Sequence, residues 1–128
     1  MPDILMHLDG INGQLELYND KIIIKRKGAL PKIAQGSFRE DKTIYLKQIT
    51  SIQVKPGNIF TNGYIQFSLP GGNDSTKGLI NATQDENTIM FVRKHNSVVE
   101  EIKNKIEHLQ STLTMHQEVS SADEPNKI

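Results

Sequence analysis

The chain has 128 residues, a formal net charge of zero at neutral pH and no cysteine. A single domain of this length buries roughly two thirds of its unfolded surface. Neutrality removes any global pull toward nucleic acid or an anionic membrane, and the missing cysteine excludes disulfides, thiolate metal sites and cysteine nucleophiles.

The first residues, MPDILMHLDG, carry Asp3 and Asp9 with no early Lys or Arg, and His7 breaks the apolar run. Residues 1–9 therefore read as a lead segment and not as a secretory signal. No stretch reaches the length that spans a bilayer, so a cytoplasmic protein without a transmembrane segment is expected. The alternation in QLELY (14–18) predicts a half-buried strand, and the β-branched run KIIIKRK (21–27) predicts its partner across an Asn19-Asp20 turn. Residues 28–41 read as a loop punctuated by Pro31 and Gly36. TIYL (43–46) and SIQVK (51–55) are a third and a fourth strand, and Pro56-Gly57-Asn58 stops the latter. In the fifth, residues 63–69, Ile65, Phe67 and Leu69 share one face and Tyr64, Gln66 and Ser68 the other. Residues 79–83 read as a sixth strand and TIMFV (88–92) as a seventh.

The period then changes. Val98, Ile102, Ile106, Leu109 and Leu113 form one helical stripe. Ser97 and Glu100 have capping-box spacing, with Asn96 as a rival N-cap. The helix is expected to fray near Thr114, leaving residues 115–128 as a disordered polar tail behind a domain at residues 10–114.

Little of this pattern points to catalysis. A phosphate cradle at Gly71-Gly72 needs a helix directly after the glycines, but the next segment reads as a strand, so a hairpin turn is expected. His7, His95, His108 and His116 form no close pair at metal-ligand spacing, and no cofactor is implied. Asp85-Glu86 reads as a solvated turn, not an acid/base pair. The absence of basic residues interleaved with aromatics disfavours nucleic acid. Charge is nonetheless uneven. Residues 21–55 hold nine Lys or Arg against Glu40 and Asp41, while the helix and tail hold six of the fifteen acidic residues. An anion site, if one exists there, is expected at Lys25, Arg26, Lys27 and Lys32; the competing reading is a solvated strand face. Ile23, Ile59 and Phe60 sit near turns or outer faces, which motivates an expectation of self-association.

Seven short strands followed by one amphipathic helix is the order of a pleckstrin-homology (PH) fold. The blocks GQLELYNDKIIIKRKG, KTIYLKQITSIQVKPG, GYIQFSLPGG and DENTIMFVRK, in that order, resemble a bacterial family of unknown function with a PH-like fold, over about residues 10–112. The resemblance implies a mainly β, PH-like barrel of about seven antiparallel strands capped by one C-terminal α-helix. It also implies a bacterial or phage origin and a capacity to form homo-oligomers. A short helical module often follows such domains; here a polar tail stands in its place. Better-known relatives of the fold bind phosphoinositides or peptides, with a basic first hairpin loop. Here that loop is Asn19-Asp20, so headgroup binding is not carried over. The expected function is a non-enzymatic binding or assembly module acting on a protein partner or on itself. The alternatives are peripheral binding of anionic lipid through a basic face and a small enzyme with its site in the barrel mouth.

Overall fold

The computed structural model describes residues 3–26, 41–70 and 86–123, with side chains through residue 113. Strands β1 (Met6–Asp9), β2 (Gln14–Leu17), β3 (Lys21–Lys25) and β4 (Lys42–Tyr45) form an antiparallel sheet in that order. Strands β5 (Ser51–Lys55), β6 (Gly63–Ser68) and β7 (Thr88–Phe91) form a second antiparallel sheet. A 3-10 turn at Leu46–Gln48 links the sheets, and another at Arg93–His95 leads into helix α1 (Asn96–Asp123). The protein is therefore mainly β, with two sheets and a C-terminal helix. The expected closed barrel is not found among the described residues.

Alternation builds the first sheet. Leu15 pairs with Ile24, and Leu17 pairs with Ile22, which in turn faces Ile44; all are buried. The residues between them point outward, where they make a polar ladder. There Lys25 Nζ lies 3.8 Å from Glu16 Oε2, and His7 Nε2 lies 3.6 Å from Asp9 Oδ1. The Tyr18 hydroxyl donates to Glu16 Oε1 at 2.9 Å, and that bond, followed by desolvation and the carboxylate charge, raises the phenol above its ordinary pKa. The two-residue Asn19-Asp20 connection closes with Tyr18 N–H donating to the Lys21 carbonyl.

The second sheet is buried on more of its surface. In β6, Tyr64 and Gln66 are as enclosed as Ile65 and Phe67 on the opposite face. Gln66 satisfies its amide by donating from Nε2 to Thr88 Oγ1 at 3.1 Å, across the β6–β7 pairing. Gly63 opens this strand because nothing larger fits. An added Cβ would meet the Lys55 carbonyl oxygen and would lie 2.6 Å from the Gly57 nitrogen.

One apolar core joins both sheets to the helix: Leu8, Leu15, Ile24, Ile65, Phe67, Phe91, Val99, Ile102 and Ile106 all belong to it. Gln110 fastens the helix to the first 3-10 turn by donating from Nε2 to the carbonyls of Leu46 (2.8 Å) and Ile49 (3.0 Å).

Four expectations change. The segment 1–9 is not only a lead: residues 6–9 are β1, and Leu8 is buried in the core. The strand's alternation is short and directly follows the apolar pair Ile4-Leu5, so it does not stand out. The helix continues to Asp123, overlapping the expected tail. Residues 114–123 contain neither Gly nor Pro, and Pro125 is the first strong breaker. Asn96 does not cap the helix either. It has helical dihedrals, and its side chain bonds elsewhere. Ile23 is half-buried on the ladder face instead of exposed. The expected sixth strand and the Gly71-Gly72 turn lie outside the described residues.

Candidate docking site

Of the expected anion-binding residues Lys25, Arg26, Lys27 and Lys32, the structure describes the first two, and they point to opposite faces. Lys25 ends β3 on the outer face, beside the Glu16 carboxylate. Arg26 turns the opposite way and is only 5% exposed. Lys27 and Lys32 lie outside the described residues.

Arg26 instead locks the two sheets together. Its Nη1 donates to the Asn12 carbonyl at 2.8 Å, and its Nη2 donates to the Glu86 carbonyl at 3.0 Å and the Thr88 carbonyl at 3.4 Å. Asn12 sits in the β1–β2 turn, and Thr88 opens β7, so one planar guanidinium spans both sheets. The same turn presses directly on β7. Ile11 N–H donates to the Met90 carbonyl at 2.7 Å, and Met90 N–H donates to Asn12 Oδ1 at 2.9 Å. Gly10 permits this approach, because an added Cβ would lie 2.6 Å from the Met90 carbonyl oxygen. Lys42 Nζ adds a surface contact, 2.9 Å from Glu86 Oε2. Asp85 lies outside the described residues, so Glu86 is seen only in this ion pair and in its carbonyl contact with Arg26. Among the described residues no group of three or more His, Asp or Glu side chains could hold a metal ion.

Among the described residues the most exposed large apolar side chains lie in the β5–β6 connection. Ile59 is 69% exposed and Phe60 85% exposed, side by side at its tip. The turn that presents them is tightly fixed. Asn58 Oδ1 accepts from Phe60 N–H (2.7 Å), Thr61 N–H (2.8 Å) and Thr61 Oγ1 (3.3 Å), while Asn58 N–H donates to the Thr61 carbonyl (2.8 Å). One residue earlier, the Asn96 amide holds Gly57 at both ends. Gly57 N–H donates to Asn96 Oδ1 and Asn96 Nδ2 donates to the Gly57 carbonyl, each at 2.9 Å. The base of the tip is basic. Lys55 Nζ lies 3.4 Å from Thr61 Oγ1, and a Cβ added at Gly57 would lie 3.2 Å from the main chain of Arg93, whose side chain and that of Lys94 are exposed.

A family model described as "Domain of unknown function (DUF4429)" matches residues 17–107. The chain belongs to this family. The DUF4429 match runs from the last residue of β2 through β7 and into α1 as far as Glu107. It therefore includes Arg26, the Asn58 turn with its two apolar side chains, and the buried helical residues Val99, Ile102 and Ile106. β1 and the Asn12 turn precede it. No curated protein and no solved structure matches the chain.

The sequence placed Ile59 and Phe60 near a turn, and the structure presents them there. What it did not reveal was their fixation by Asn58 and Asn96, because the second of these contacts joins residues 39 apart in the chain.

Proposed function

We propose that this DUF4429 domain is a non-enzymatic binding module with a PH-like arrangement, and that it docks through the Ile59–Phe60 tip. The PH-like reading is supported by the element order: four antiparallel strands, three antiparallel strands, then one helix packed on the shared core. The binding reading is supported by how the buried polar groups are used. Arg26, Asn12, Gln66 and Thr88 bond to the main chain or to one another across strand junctions, which is structural work and not the convergence of titratable groups on a substrate.

The observation that carries the proposal is the exposed, pre-ordered pair Ile59–Phe60. Adjacent large apolar side chains held in water by a fixed turn gain free energy when a partner covers them, and the fixed turn reduces the entropy lost on binding. The alternative basic face is weaker in its described part, since Lys25 already faces Glu16 and Arg26 is buried. The test is retention of host material, separated into membrane and soluble fractions, on immobilised wild type and on the Ile59→Ser/Phe60→Ser variant. The expected result is material held by the wild type and lost from the variant, at matched thermal stability. Equal recovery on both would overturn the proposal.

A further inference from the structure

We infer that the surface this tip enters is an anionic lipid membrane. The inference rests on the docking reading above and adds the chemistry of the partner. From residue 42 to 73 and from 87 to 99 the sequence contains Lys42, Lys47, Lys55, Arg93 and Lys94 and neither Asp nor Glu. Lys42 belongs to the first sheet and pairs with Glu86; the strands of the second sheet hold one charged residue, Lys55, and the tip that follows it holds no acid, although the chain as a whole is neutral. Lys55 borders the tip, and the 3-10 turn that carries Arg93 and Lys94 packs against its base. The Lys55 ammonium sits beside Thr61, the Arg93 main chain packs against Gly57, and Lys94 follows in the same 3-10 turn. An aromatic and an aliphatic side chain projecting beyond a cationic base suit a bilayer interface: the apolar groups enter the acyl boundary while the cations stay among anionic headgroups.

Two features favour lipid over a protein partner. Two side chains cover far less than the roughly 800 Å² per partner of a stable protein interface, whereas lipid closes around a small protrusion without requiring shape complementarity. A second copy meeting tip to tip would also bring Lys55 and Arg93 of both chains together, and like charges oppose that contact.

The experiment is co-sedimentation with vesicles of phosphatidylcholine alone and of phosphatidylcholine with phosphatidylglycerol, at low and at high salt. It compares the wild type, Ile59→Ser/Phe60→Ser, and Lys55→Gln/Arg93→Gln/Lys94→Gln. The wild type is expected to pellet with the anionic vesicles at low salt, to release as salt rises and to ignore the neutral vesicles. Each variant is expected to partition about tenfold less. No pelleting of the wild type would overturn the inference, as would undiminished pelleting of either variant. If the vesicle assay fails while soluble host material is still retained through the tip, the lipid assignment falls and the docking module stands. If tip-dependent retention is also absent, both fall.

Discussion

Arg26 bonds to the carbonyls of Asn12, Glu86 and Thr88 from a nearly sealed position. Replacing it by Met would leave these acceptors facing an apolar chain, and the expected loss is about 3 kcal/mol in urea unfolding. Arg26→Lys is expected to recover only part of that, because an ammonium cannot span two directions as the planar fork does. Lys25→Gln, one residue away, removes a partly exposed ion pair and is expected to change stability by less than about 1 kcal/mol. The two neighbours look alike in the string KIIIKRK. Strand alternation separates their faces and was legible. Their fates were not, because the acceptors of Arg26 come from the β1–β2 turn and the start of β7, up to 62 residues away, and local sequence carries no trace of them.

At the scale of elements, the helix supplies most of the testable energetics. Ile102 and Ile106 are fully buried, so Ala at either position is expected to lower stability by about 2–5 kcal/mol. Burial then fades along the stripe: Leu109 is partly covered and Leu113 is 37% exposed. Truncation after His116 is accordingly expected to leave the thermal midpoint nearly unchanged, and a large drop would show that the last turns of α1 contribute to folding. The helix could be read from its period because one face repeats over several turns. β2 was legible from its alternation, and β3 from its β-branched run. β1 was not, since its alternation is short and directly follows the apolar pair Ile4-Leu5, and its place is set by pairing Leu8 with Leu15 across the Gly10–Gly13 turn.

Across the whole molecule, zero net charge conceals a division of labour. The outer face of the first sheet holds the Lys25–Glu16 ion pair, whereas the apolar tip of the second sheet stands beside Lys55 and close to the Arg93 main chain. The sequence showed basic and acidic segments and an expected anion site at Lys25, Arg26, Lys27 and Lys32; that Arg26 is buried and Lys25 faces Glu16 was not legible, because linear clustering does not say which cations face a carboxylate after folding. Among the described residues no helix is long and apolar enough to cross a membrane. Ile59→Ser/Phe60→Ser is expected to fold with wild-type stability to within about 0.5 kcal/mol, since both side chains are largely solvated already.

The chain contains no tryptophan, so Phe60→Trp places a single indole reporter at the tip. Its emission should be that of a solvated indole in the free protein and should move to shorter wavelength as phosphatidylglycerol-containing vesicles are added at low salt, reversing when salt is raised. An emission already blue-shifted in the free protein, or one that stays unchanged with these vesicles and with both host fractions, would contradict docking through the tip.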